Sequence, residues 1–254
     1  MKLCVVGVGR LGSALLEGWK DTGWKLSAVS KHGVPDGVKQ ATPAEAVQAD
    51  VVVVAVKPKD VPSVLQEITV HWRNPGPLTV SVAVQPDLQT LQGHLPEGAA
   101  VARAMPNIAC AVGKSVTAYT TGRNVSAKQQ IQLQALWDAC GQGIAVQENQ
   151  LVAATALSGC GPAYAFRFVQ ALAKAGKTMG LEEIHAEKMA QGIIQGAASL
   201  MEKKPGKTMG EWVGQVATSG GTTEAALKKW DENGFDRVVA DGLDAAYKKN
   251  KKEE

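Results

Sequence analysis

Apolar residues fall in short blocks along the first half of the chain and at helical spacing along the second. Leu3-Cys4-Val5-Val6 is an apolar run that stops at Gly7, and Leu11, Ala14, Leu15 and Gly18 then recur on one helix face. That pattern predicts strand, tight turn, helix. Residues 25–29 read as a second strand, and residues 50–58 as a third whose valines, Val51 to Val54, are unbroken. A continuous β-branched run fits a parallel strand covered on both faces. Residues 78–82 and 100–104 read as a fourth and fifth strand, and 115–119 as an edge strand. Thr42-Pro43-Ala44-Glu45 supplies a helix start, with an N-cap threonine, a first-turn proline and a glutamate three residues on. Residues 126–140 read as an amphipathic helix with Ile131, Leu133, Leu136 and Trp137 inward, and 144–146 close this alternating region.

From Glu148 onward the pattern is helical throughout. Pro162 stands where a first-turn proline belongs, ahead of a helix carrying Tyr164, Phe168, Val169 and Leu172 that Gly176 or Gly180 ends. Residues 182–203 form a second long helix. Its Ala190, Gly192, Ile193, Gly196, Ala197 and Leu200 mix small and branched side chains, a face suited either to ordinary core or to a subunit interface. Thr208 to Glu211 is a capping box, residues 218–224 begin a further helix, and Gly234 separates it from the last. The expected fold class is α/β: an N-terminal Rossmann-type doubly wound sheet over residues 1–148, then a smaller all-helical domain over 149–254.

Composition narrows the function classes. The 254 residues are 45% hydrophobic and 20% charged, with a net charge of +3 that is spread along the chain, so no nucleic-acid partner is expected. The basic cluster from Lys248 to Lys252, ahead of Glu253 and Glu254, reads as a solvated helix end. Gly7 and Gly9 cut the first apolar stretch too early for a signal peptide, and no run approaches the roughly 18 apolar residues of a membrane span. Cys4, Cys110, Cys140 and Cys160 show no C-x-x-C spacing and no neighbouring histidine, so no metal site is expected. A cytoplasmic enzyme is the expectation.

The candidate chemistry begins at Gly7-Val8-Gly9-Arg10-Leu11-Gly12, a G-x-G-x-x-G between strand and helix. Gly7 permits the turn, Gly9 lets backbone approach a pyrophosphate, and Gly12 lets helix sit close on strand. The ligand-free alternative is an ordinary strand-to-helix turn. Ser30-Lys31-His32 follows the second strand, where an NAD enzyme usually places an acid for the ribose 2′-hydroxyl; here no acid occurs until Asp36. Ser30 and Lys31 suit a 2′-phosphate, which favours NADP(H) and leaves NAD(H) open. Val56-Lys57-Pro58 lies at the C-terminal end of the valine strand, the ligand side of an open α/β sheet. Residues 157–164 and 219–223 are glycine-rich helix starts able to hold a carboxylate on backbone amides, or simply to cap.

Gly7 to Gly12, Val56-Lys57-Pro58, Arg103-Ala104-Met105-Pro106-Asn107, Ser158-Gly159-Cys160-Gly161-Pro162-Ala163-Tyr164 and Ser219-Gly220-Gly221-Thr222-Thr223, in that order, resemble the pyrroline-5-carboxylate reductase family over nearly the whole chain. Departures are Cys160 for a serine, Ser219 for a frequent proline, Ser81-Val82-Ala83-Val84-Gln85 for Ser-Ala-Ala-Gly-Ile, and a short segment after the second strand. The resemblance implies NADPH-dependent reduction of 1-pyrroline-5-carboxylate to L-proline, with the helical domain dimerising by intertwining and the dimers often assembling into rings. It implies cofactor contacts from residues 7–12, Val56, Lys57, Pro58 and Met105, to which the reading of the second strand's end adds Ser30 and Lys31. It implies a substrate carboxylate on the amides of Gly220, Gly221 and Thr222, Thr218 shaping the pocket, and the Thr223 hydroxyl near the imine nitrogen as the catalytic group.

The chemistry agrees. A protonated iminium is already electrophilic, so its reduction asks mainly for orientation and electrostatics. A hydroxy-acid dehydrogenase would need a base for the alcohol proton, yet His32, His71, His94 and His185 all lie outside the motifs that carry the family resemblance. A reductase of a related cyclic imino acid and a non-enzymatic nucleotide-binding relative are the two alternatives.

Overall fold

The computed structural model describes residues 1–252; Glu253 and Glu254, which close the basic cluster, lie outside them. In chain order the first elements are β1 (Lys2–Val6), α1 (Arg10–Trp19), β2 (Lys25–Val29), β3 (Lys39–Gln40), α2 (Pro43–Ala46), β4 (Val51–Val54), α3 (Val61–Thr69), β5 (Leu78–Ser81), α4 (Leu88–Gly93) and β6 (Val101–Met105). Then come β7 (Ser115–Thr121), α5 (Ala127–Asp138), β8 (Gly141–Ala145), α6 (Leu151–Ala154), α7 (Gly161–Thr178), α8 (Glu183–Lys203), α9 (Met209–Val216), α10 (Thr222–Glu232) and α11 (Phe235–Lys252). The strands make one sheet in the order β3-β2-β1-β4-β5-β6-β7-β8, parallel except for the β6–β7 pair.

Alternation along the strands sorts the core into two layers. Leu3, Val5, Val51, Val53, Leu78 and Val80 pack with Leu15 and Trp19 of α1 and Leu136 and Trp137 of α5. Cys4, Val6, Val52 and Val54 point the other way, onto Ala46, Val61, Leu65, Ile68 and Leu91 of α2, α3 and α4. All four β4 valines are fully buried, as their unbroken run requires. At about 1.5–3 kcal/mol per buried side chain, this strand alone contributes several kcal/mol before conformational entropy is set against it.

Two expectations need correction, and one strand was not expected. Residues 115–119 are not an edge strand: β7 runs antiparallel to β6, and β8 pairs parallel on its outer side. That pairing needs Gly141, whose φ is +145° and whose added Cβ would lie 2.0 Å from the Ser115 carbonyl oxygen. Ile131 is 72% exposed, whereas Leu133, Leu136 and Trp137 are buried. Two residues turn a helix by about 200°, so Ile131 and Leu133 face opposite ways. Residues 39–40 form a short strand that was not expected, anchored where the Ala41 amide donates to Ala28 at 2.8 Å.

Two compact units are distinguished: Met1–Pro162 with Ala246–Glu254, and Ala163–Ala245. Within the second, Phe168, Trp230 and Phe235 form an aromatic cluster with ring centroids 5.5–6.5 Å apart. Gly176 on α7 lets α8 approach, since its Cβ would meet Ala186 Cβ at 3.3 Å. Gly180, with φ +98°, follows α7 and terminates it. Little else is covered: Phe166, Met179, Ile184, Ile193, Val216 and Val238 are each more than half exposed. On the small-residue face of α8, Ala190 is buried, while Gly192, Ile193, Gly196, Ala197 and Leu200 are exposed. Among the described residues no helix is long and apolar enough to cross a membrane.

Candidate functional site

The sheet order places a crevice where the chain reverses direction across it, between β1 and β4. Val6 stands opposite Val29 on one side and Val54 on the other, so the loops after β2, β1 and β4 leave the sheet at one level. Gly7 turns the chain with φ +102°; a Cβ there would lie 2.6 Å from Val56 Cγ1 and 2.7 Å from the Ala55 oxygen. At Gly12 a Cβ would lie 2.1 Å from the Gly7 oxygen, so any side chain forces helix and turn apart. Gly9 differs, because nothing lies within 4 Å of its Cβ position. It is the N-cap of α1, makes no side-chain cap, and no acid stands in the first helical turn. The first amides of α1 and its positive end face this open backbone, which is the donor set a pyrophosphate requires. Val8 and Leu11 are half-buried against the core and Arg10 is exposed.

At the end of β2 the Ser30 hydroxyl accepts from the His32 amide at 3.1 Å, and Gln40 Nε2 donates to the Ser30 carbonyl at 3.0 Å. Lys31 and His32 are exposed beyond that turn. After β4, Val56 is half-buried, Lys57 is exposed, and Pro58 opens a short 3-10 turn closed by the Asp60 amide on the Lys57 carbonyl at 2.9 Å. Met105 sits in a small cluster with Ala118 and Leu151 and is 3% exposed.

The Arg103–Asn107 stretch ties elements of the first unit together, through two partners that sequence reasoning missed. Arg103 is buried and donates from Nη1 to Glu148 Oε1 at 2.9 Å and from Nη2 to the Val84 carbonyl. Glu148 also accepts the Leu88 amide at 2.6 Å. Together with Asp87, Thr90 and Tyr247, Arg103 and Glu148 line a cavity of about 860 Å³. The Asp87 carboxyl is held below its usual range by the hydrogen bonds of Thr90 and, to a lesser degree, by the Arg103 charge. Asn107 Nδ2 donates to the Ser158 carbonyl at 2.9 Å, and the Ser158 hydroxyl donates to Val116 at 2.6 Å. This joins the fifth-strand motif to the glycine-rich turn before α7. The only sequence sign of it was that both motifs were polar at the ligand edge.

In the second unit, α10 starts at Thr222 with Gly221 as N-cap and no side-chain cap, so Thr223 is not the cap but the second helical residue. The Gly221 amide donates to the Thr218 carbonyl at 3.0 Å. Gly220 turns with φ +74°, and its amide donates to Glu224 Oε2 at 2.7 Å. Two of the three amides expected to hold a carboxylate thus have partners inside the loop, while Thr222 opens the helix. The Thr223 side chain is half-buried.

Burial disfavours the thiolate at the three buried cysteines. Burial pushes Cys110 up to about 11 and Cys140 up to about 12, and Cys4 is raised mainly by the same cause.

Two family models match the chain. One, described as pyrroline-5-carboxylate reductase dimerisation, covers residues 148–253; the other, described as NADP oxidoreductase coenzyme F420-dependent, covers residues 2–85. A pyrroline-5-carboxylate reductase of Mycobacterium tuberculosis is 36% identical, with 96% of this chain and 94% of that one aligned. The enzyme of that name from Aquifex aeolicus is 30% identical over 99% and 97% of the two chains. Among solved structures, Plasmodium falciparum pyrroline carboxylate reductase with NADP bound matches with a TM-score of 0.89 at 26% identity, covering 99% and 97% of the two chains. The Coxiella burnetii reductase matches at 0.87 and 27%, over 98% and 97%.

Proposed function

The chain belongs to the pyrroline-5-carboxylate reductase family, and from that premise we propose that it reduces 1-pyrroline-5-carboxylate to L-proline with NADPH. The observation that carries the cofactor half is the open Gly9 backbone at an uncapped helix start, beside two glycines that tolerate no side chain. NADPH supplies the hydride when bound. The residues that would hold it are Gly7 to Gly12 at the pyrophosphate, Ser30 and Lys31 at the 2′-phosphate, and Val56, Lys57, Pro58 and Met105 along the crevice. A cation and a hydroxyl with no nearby acid favour the extra phosphate over a bare ribose.

The substrate half rests on the 218–223 loop. Its amides and the positive end of α10 orient the imino-acid carboxylate, and the Thr223 hydroxyl hydrogen-bonds at the ring nitrogen. The iminium needs no enzymic base, so a hydroxyl that fixes the nitrogen and steers its proton is sufficient chemistry. The departure at Val82 to Gln85 motivates a second reading, a larger imine ring. Steady-state comparison of five- and six-membered cyclic imino acids tests the choice: preference for the smaller ring supports the first reading, and a strong preference for the larger overturns it.

For assembly we propose a homodimer through the exposed apolar faces of α7, α8 and α11, with larger rings built from dimers. The domains act as a nucleotide-binding part, residues 1–148, and a helical substrate and dimerisation part, residues 149–254. Buried free thiols suit a reducing, cytoplasmic setting.

A further inference from the structure

The loop assigned above to the substrate carboxylate already carries a carboxylate of its own. Glu224 Oε2 lies 2.7 Å from the Gly220 nitrogen. Glu224 is exposed, and among the described residues it has no cationic partner, so this amide and the helix end are what hold it. Gly220 is exposed, and beyond its chain neighbours no atom lies within 4 Å of its Cβ position, so Glu224 is what stands between its amide and a solute.

One amide hydrogen serves one strong acceptor well, and two carboxylates at van der Waals distance repel. We propose that Glu224 is an internal competitor at the imino-acid site: its carboxylate occupies the Gly220 amide in the resting enzyme, and the substrate carboxylate must displace it. The inference rests on the reading of the 218–223 loop as the carboxylate end of the site. Its consequence is a uniform weakening: every carboxylate that uses this amide loses apparent affinity by the same factor, the fraction of enzyme in which the tethered glutamate leaves the amide free. A cyclic imino acid, with further contacts at ring and nitrogen, still occupies the site, at a raised KM. The residue thus sets the concentration range over which the enzyme responds to its substrate.

The test uses full-length Glu224→Ala and Glu224→Gln. With pyrroline-5-carboxylate as substrate, Glu224→Ala is expected to lower KM about fivefold, the amide variant falling between it and the parent. Acetate is expected to compete weakly against the parent and to become effective at about fivefold lower concentration in Glu224→Ala. A residue that merely caps α10 would lower Tm and leave KM and acetate inhibition where they were, or raise KM; that result overturns the inference. A binding arm is independent of turnover: protein loaded with NADP⁺ is titrated with L-proline while the Gly220 amide resonance is followed. Tighter L-proline binding in the alanine variant supports the competitor, and equal or weaker binding refutes it. Failure of the parent both to turn over the imine and to bind L-proline would instead sink the functional reading, and the inference with it. Turnover by the parent with KM undiminished in both variants would overturn the inference alone.

Discussion

Thr223 carries the most chemistry per atom in this account. If its hydroxyl holds the imine nitrogen as charge redistributes, Thr223→Ala loses a hydrogen bond made to a charged group, worth about 1.5–3 kcal/mol. That converts to a fall in kcat of about ten- to a hundredfold, with NADPH affinity little changed, measurable by steady-state kinetics alongside cofactor titration. An undiminished kcat removes Thr223 from the mechanism. Lys31 makes a separate prediction. Placing a carboxylate there in Lys31→Glu sets like charges a few ångströms apart, so NADPH dissociation should worsen about tenfold or more while NADH changes by about twofold at most. Equal loss for both cofactors, read by fluorescence titration, would show that Lys31 does not meet the 2′-phosphate.

Among elements, α2 offers a clean electrostatic test. Lys39 Nζ and the Thr42 amide hydrogen-bond Glu45 at 2.7 and 2.9 Å, and these bonds, the Lys39 one foremost, hold its carboxyl down to about 2. A depressed folded-state value contributes stability above the unfolded carboxylate range, and that contribution is lost as pH falls through the folded value. The pair is exposed and salt-screened, so the effect on global stability is small. Carbonyl-carbon NMR should show Glu45 titrating near 2; a midpoint in the ordinary glutamate range contradicts the pairing. This capping box was legible in the sequence because all its partners lie within four residues. So were β1 and β4, whose valines announce buried parallel strands. Residues 39–40 were too few to show a period, and Gly141-Gln142-Gly143-Ile144-Ala145 lacks the branched run that marks a strand. Arg103 to Glu148 spans 45 residues, beyond any local pattern. Glu224 was in plain view, but an acid at the third helical position reads as routine capping until its oxygen is seen on the Gly220 amide.

At the scale of the molecule, the exposed apolar surface of the second unit decides more than any single contact. Isolated soluble chains rarely leave residues such as Phe166, Ile193 and Val238 more than half exposed together. Light scattering should return a multiple of the chain mass, and Ile193→Glu with Val238→Glu should shift the population toward single chains. A stable monomeric parent at micromolar concentration would remove the proposed interface. The order of the motifs, and the family they belong to, were legible because glycine loops and helix starts are contiguous in sequence; the fate of the apolar helix faces was not, since core and interface share one composition. Catalysis is read in one assay: consumption of NADPH by the purified protein in the presence of pyrroline-5-carboxylate, with NADH run in parallel. Rapid oxidation with NADPH preferred is the predicted result. Folded protein that binds NADPH yet leaves it unoxidised with this imine would contradict the account.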